Sequence, residues 1–293
     1  QVGTLGYAFV EVRPRVRRDQ KTKTISIKYE INEGPRVFVE RIDVSGNVRT
    51  LDKVIRREFK LVEGDGFNAA KMRRSRQRLQ NLNFFEKVAV EQVPGSAPDK
   101  NIIKVSVEEK STGSVSFGAG YSSTNGPLAD VGLEEKNFLG RGQLVKFNIV
   151  IAAEKSQVDI GFREPYFLGR EITAGVDIFR TRTDRQDTSS LDTDEYGAST
   201  LFSYPILESL SQRWGYSVKQ TKITDVSSNA SQVIIDAQND NKKRLISEIR
   251  HTLRLEKRDN IVNPTDGYTV GFTTAYAGLG GDATFVRNSL SGK

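Results

Sequence analysis

Apolar residues recur along this chain with two different periods, and the change falls near Lys110. Before it the pattern is mixed. Tyr7 to Val16 and Thr22 to Ile31 alternate around Arg18-Asp19-Gln20, which predicts two strands, and Gly34-Pro35 then breaks the chain. Arg36 to Val44 alternates again through Val37, Val39, Ile42 and Val44 and stops at Ser45-Gly46-Asn47. Helical spacing follows. After Thr50, read as an N-cap, Leu51, Val54, Ile55 and Phe59 form one stripe; from Asn68, Ala69, Met72, Leu79 and Leu82 form another. Phe84 to Val93 and Asn101 to Val107 predict a hairpin across Pro94 to Pro98, giving the order β-α-α-β-β.

Beyond Lys110 the period is 2. Val158, Ile160 and Phe162 alternate with Asp159, Gly161 and Arg163; Ile172, Ala174, Val176 and Ile178 alternate with Thr173, Gly175 and Asp177. Leu245 to Leu255 repeats the scheme with Glu248, Arg250 and Arg254 on its polar side. Nine strands are predicted: 113–124, 128–137, 143–152, 156–164, 171–182, 196–204, 212–222, 244–257 and 268–279. Their connections alternate between compact turns, at 138–142, 165–170 and 205–211, and loops that lengthen to 183–195 and 223–243. The long polar insertions therefore fall on one side, with Phe138, Tyr166, Phe167, Tyr204, Trp214 and Tyr268 near the compact turns. An outer-membrane barrel has this pattern, with aromatic girdles at its rims. A soluble sandwich or barrel alternates in the same way, so alternation alone leaves both open.

Composition narrows the choice. With 37% hydrophobic and 28% charged residues among 293, the chain can bury a core and is long enough for more than one domain. Its longest apolar runs, such as Ile149 to Ala153, are far below the roughly 18 to 20 residues of a membrane-spanning helix, which excludes a helical membrane protein. A spanning strand shows half its residues to the barrel interior, so a mean hydropathy of -0.47 does not argue against a barrel. Having no cysteine, the chain has no thiol nucleophile, disulfide or zinc-thiolate site. Residues 1–110 hold 23 Lys/Arg against 15 Asp/Glu, a net +8, whereas residues 111–293 carry -1, which suggests two domains. No basic and apolar leader opens the sequence, and both ends are read as truncations.

Particular residues then resemble a family. Val39-Glu40-Arg41-Ile42-Asp43-Val44-Ser45-Gly46-Asn47-Val48-Arg49-Thr50, Val54-Ile55-Arg56-Arg57-Glu58 and Leu79-Gln80-Asn81-Leu82-Asn83-Phe84-Phe85 look like the barrel-adjoining POTRA domain of the BamA family of outer-membrane assembly factors. Residues 7–33 resemble the final hairpin of a preceding POTRA repeat. Glu135 to Gly142, Phe162 to Gly169, and Arg258-Asp259-Asn260 with Pro264-Thr265-Asp266-Gly267 resemble successive turns of the family's barrel. Each motif is common, but their order and spacing together are specific.

The resemblance implies a fold and a set of partners. The fold is an α+β POTRA domain followed by an all-β antiparallel transmembrane β-barrel, truncated here after about nine of its roughly 16 strands. The implied boundaries are 1–34 for the end of one POTRA domain, 35–110 for the next, and 111–293 for the first half of the barrel. The family's inward-folded loop and closing strand would lie outside the chain. The barrel would sit in the outer membrane, with POTRA domains in the periplasm. It would insert nascent outer-membrane proteins without cofactor or metal, by pairing client strands with its own first strand, here Gly113, Val115, Phe117, Gly118, Gly120 and Tyr121. Gly118 and Gly120 independently mark a weakly pinned edge. Further implied partners are accessory outer-membrane lipoproteins, at Arg56 and Glu63, periplasmic chaperones and the lipid bilayer. The alternatives are a secretion transporter of the same superfamily and a soluble basic binding protein.

Other candidate chemistry reduces to structure. Lys71, Arg73, Arg74, Arg76 and Arg78 surround an apolar stripe, so they read as a solvated helix face rather than a nucleic-acid site. His251 lies on the apolar parity of a strand with no arranged nucleophile, and is read as structural rather than as a general base; no enzyme site is expected. Gly140 to Gly142 lacks the Gly-Lys-Ser/Thr of a phosphate loop and reads as a turn. Arg56, Glu58, Lys60 and Glu63 are also compatible with ordinary surface charge.

Overall fold

The computed structural model describes residues 11–19, 23–32, 36–186, 190–228, 230–239, 243–259 and 264–293. Tyr7 to Val10, Gln20, Thr22, Gly34-Pro35 and Asn260, named above, lie outside them. The chain divides into two units, with the division after Ser111.

In the first unit, β1 (Glu11–Asp19) and β2 (Thr24–Asn32) pair antiparallel as a two-stranded sheet. A three-stranded sheet follows, with β5 (Lys100–Glu109) between β3 (Phe38–Ser45), parallel to it, and β4 (Phe85–Pro94), antiparallel. Between β3 and β4 run α1 (Asp52–Arg56) and α2 (Ala69–Asn81). Val54 and Ile55 from α1, Leu79 from α2 and Val39, Ile103 and Val105 from the sheet are fully buried together. After the two helices β4 runs opposite to β3, and the β4–β5 hairpin reverses the chain again, so β5 lies parallel to β3.

Two helical details differ from expectation. Thr50 is not a cap: α1 follows Leu51 without a side-chain cap, and Leu51 is exposed rather than part of the buried stripe. Thr50 is instead drawn away by the Glu109 carboxylate, which accepts hydrogen bonds from the Arg49 and Thr50 amides at 2.9 and 2.7 Å. The α2 start behaves as expected of Asn, with Asn68 Oδ1 accepting from the Ala70 and Lys71 amides.

The second unit is one ten-stranded antiparallel meander in strict chain order. Its strands are β6 (Gly113–Ser122), β7 (Gly126–Phe138), β8 (Gln143–Ala152), β9 (Lys155–Glu164), β10 (Thr173–Arg185), β11 (Leu191–Leu207), β12 (Leu210–Val226), β13 (Lys243–Glu256), β14 (Thr269–Ala277) and β15 (Phe285–Gly292). A helix, α3 (Gln232–Asn239), lies in the β12–β13 connection. β15 is one strand more than the pattern predicts. Its three apolar residues, Phe285, Val286 and Leu290, do not share a parity, so periodicity does not reveal it. Most of the expected 183–195 loop is strand as well. There β10 and β11 continue as a polar ladder, without the apolar alternation that marks a strand, and Arg180 joins Asp194 through Nε and Nη2 at 3.0 and 2.6 Å. The rim of compact turns also carries one long connection, 257–268, held by Asp259, whose carboxylate accepts from the Thr265 amide and hydroxyl and the Asp266 amide.

The two parities of this sheet are chemically distinct. One shows Val158, Ile160, Phe162, Val176 and Ile178 to the surroundings, Ile160 at 48% and Ile178 at 55% exposure. The other carries ion pairs between neighbouring strands: Lys146 with Glu134 at 3.0 Å, Arg163 with Asp177 at 2.6 Å, Lys219 with Glu195 at 2.9 Å and Arg287 with Glu248 at 3.0 Å. A soluble sheet hides its apolar parity and wets its polar one. This sheet does the reverse, as a transmembrane barrel must.

Candidate functional site: an open sheet edge

β6 ends the sheet. It pairs with β7 in an unbroken register from Gly113↔Glu135 to Ser122↔Gly126, and no described strand lies on its other side. An antiparallel strand in that position turns alternate backbone N–H and C=O groups away from its only partner, so β6 carries a row of donors and acceptors without a strand to meet them. Val115, Phe117 and Tyr121 stand on the apolar parity, the last two at 79% and 80% exposure. Gly118 and Gly120 occupy the opposite parity with Ser114 and Ser116, where the face has almost no side chain to pack. A Cβ at Gly118 would meet the Asp130 carboxylate, which would have to turn aside. The start of the strand is tethered through Thr112, whose hydroxyl donates to Glu135 and whose carbonyl accepts from the Lys136 amide. The six residues predicted for this edge thus lie on one strand, anchored at its start and with no described strand along its other side. β15 is the other terminal strand and, among the described strands, pairs with β14.

Arg56 and Glu63, the second predicted pair, are brought together in the first unit. Arg56 Nη1 donates to Glu63 Oε1 at 3.3 Å, Nη2 to the Ile42 carbonyl at 2.8 Å and Nε to Asp52. Glu63 Oε1 also accepts from the Ile42 amide. The Asp52 hydrogen bond, with Glu63 adding to it, raises the Arg56 guanidinium further above its ordinary range. The pair straps the end of α1 to β3 while both side chains stay about half exposed. Sequence spacing did not reveal this strap, because Ile42 takes part through its backbone.

Among the α2 cations, Arg78 pairs with the buried Glu58 at 2.9 Å and Lys71 with Asp65 at 3.8 Å. His251 stacks on Trp214 with ring centres 4.4 Å apart and shares a hydrogen bond with Gln212, a structural setting on the apolar parity. Leu139, Gly140 and Gly142 take positive φ in the β7–β8 turn, where Asn137 Oδ1 accepts from the Gly142 amide.

Residues 137–293 match the Omp85 superfamily domain, and residues 37–110 match the POTRA family, described as a surface antigen variable number repeat. The chain belongs to the Omp85 superfamily. It is 28% identical over 285 residues to the outer membrane protein assembly factor BamA of Nitratidesulfovibrio vulgaris, covering 96% of this chain and 35% of that one. To BamA of Neorickettsia risticii it is 29% identical over 285 residues, covering 97% and 38%. The chain therefore spans little more than a third of these relatives. The crystal structure of BamA from Haemophilus ducreyi lacking POTRA domains 1-3 superposes with a TM-score of 0.74 at 23% identity, over 96% of this chain and 56% of that chain. The architecture of this Omp85 chain is accordingly a POTRA domain followed by part of a BamA-type barrel. Its ten-stranded sheet belongs in the outer membrane and its POTRA domain in the periplasm.

Proposed function

We propose that this Omp85 chain is the part of an outer-membrane assembly factor in which client β-strands are templated on β6 and folded into the bilayer. The observation that carries the reading is the edge of β6 from Ser114 to Ser122, along which no other described strand pairs, anchored at Thr112 and weakened by Gly118 and Gly120. Main-chain pairing of this kind tolerates many client sequences, because it reads backbone groups rather than side chains. Neither nucleotide nor metal is required, because burial of the client's apolar face in lipid supplies the free energy. On this reading the chain is not an enzyme, and it binds no nucleic acid. Its partners are nascent outer-membrane proteins, periplasmic chaperones, the lipid bilayer and, at the Arg56–Glu63 strap, an accessory lipoprotein. The domain limits that serve this role are 1–34, 35–110 and 111–293. A secretion transporter of the superfamily would share the architecture, but the relatives described above bear the names of assembly factors.

The test uses a full-length protein containing this segment, with one cysteine in β6 and one in the strand that closes the barrel against it. Oxidation should abolish insertion of a client barrel into vesicles, and reductant should restore it. Undiminished insertion with the two strands covalently joined would overturn the reading.

A further inference from the structure

The lipid-facing parity holds a second feature, unrelated to the β6 edge. Hydrogen-bond register stacks three rows of side chains across β9 to β13. The lowest is Ile160, Ile178, Ala198, Val218 and the buried Ser247; the next is Val158, Arg180, Tyr196, Gln220 and Leu245; the third is Ser156, Arg182, Asp194, Lys222 and Lys243. Because Ala198 is short between Ile178 and Val218, the first two rows enclose a groove of about 480 Å³ walled by apolar side chains.

Charge crowns the groove. Arg180, Arg182, Lys222 and Lys243 face one carboxylate in these rows, Asp194, which Arg180 engages in the bidentate contact already described. The next row outward holds Glu154, whose carbonyl accepts from the Asp184 amide, with Asp184 and Asp192, whose carboxylates accept from the Arg185 and Gln186 amides and the Gln186 side chain in the β10–β11 turn. A band of cations thus lies between lipid-facing apolar surface and the rim opposite the one where the chain enters the sheet. Four cations raised on a membrane-facing surface above an apolar groove are matched by an amphiphile with an anionic head and an apolar tail.

We propose that this groove binds one acyl chain of a phosphorylated lipid in the leaflet at that rim, with the phosphate held by Arg182, Lys222 and Lys243. Arg180, neutralised by Asp194, closes the top of the groove as a hydrogen-bonding wall with Tyr196, whose hydroxyl donates to Gln220 at 2.8 Å.

The test purifies the 293-residue chain in uncharged maltoside detergent and measures retained lipid by native mass spectrometry. Dioleoyl phosphatidic acid should be retained at roughly tenfold lower concentration than dioleoyl phosphatidylcholine, since acyl chains are equal and only the exposed phosphate differs. The double variant Arg182→Gln/Lys222→Gln should bring phosphatidic acid down to the phosphatidylcholine level and leave the latter unchanged, which also reports an intact fold. Ala198→Phe, which fills the groove, should weaken both lipids. Arg73→Gln/Arg76→Gln removes the same charge from the POTRA helix and should change neither. Equal retention of the two lipids would overturn the proposal. So would an equal loss in the POTRA control, or displacement of phosphatidic acid by equimolar inorganic phosphate, which would reveal a free-anion site.

Discussion

Glu109 illustrates how much one carboxylate does in the POTRA domain. Burial alone would push its carboxyl up, but the hydrogen bonds from Thr50 and Arg49 outweigh that and hold it below the usual carboxylate range. A group whose folded pKa is depressed stabilises the fold above its unfolded pKa and ceases to do so as pH falls through the folded value. POTRA stability should therefore decline as pH drops below about 4.5. Glu109→Gln should flatten that dependence in thermal melts and cost about 1 to 2 kcal/mol at neutral pH, because a neutral amide is the weaker acceptor. An unchanged slope would exclude Glu109 as the source. Arg56 makes a comparable argument for the strap. Arg56→Ala strands the Ile42 carbonyl and should lower POTRA stability by about 1 kcal/mol in urea melts, whereas Arg73→Ala, on the solvated face of α2, should leave it within error.

At the scale of elements, the contrast is between strands paired on both sides and β6. Amide exchange should separate them: in detergent, β6 should exchange its deuterons far faster than β9 or β10, because half its amides have no strand to bond and its inward face packs almost nothing. Equal protection across β6, β9 and β10 would show that the edge is covered. The lipid-facing parity makes a second prediction. Ile160 lies at the centre of β9, opposite Phe147 and Ile178, so Ile160→Arg should cost about 2 to 4 kcal/mol of folding stability in lipid vesicles. Asp159→Asn, on the other parity, should cost far less. Similar losses for both would refute the assignment of faces.

For the molecule as a whole, the described POTRA core is self-contained: every member of its buried cluster lies between Val39 and Val107. Residues 36–110 expressed alone should show one cooperative thermal transition in water without detergent. A molten or aggregated product would move the domain boundary. The ten-stranded sheet has no such core, since its apolar parity faces outward, and should need lipid or detergent to stay in solution.

Period decided most of the architecture in advance. Past Lys110 the mixed pattern gives way to unbroken alternation, beside the division after Ser111, and alternation alone locates nine of ten sheet strands, because each must show one face to apolar surroundings and one to polar ones. Glycines and turn residues marked β6 and the β7–β8 turn for the same local reason. What periodicity cannot carry is anything that depends on a neighbour distant in sequence. The polarity of the sheet's two environments came from exposure, since alternation is identical in a soluble fold. The parallel β3–β5 pairing, the loss of Thr50 to Glu109, the Arg56 strap through the Ile42 backbone and the polar ladder above Arg180 all rest on contacts between separate segments. The cationic row over the groove is of the same kind. Its members come from β10, β12 and β13, and only hydrogen-bond register brings them side by side.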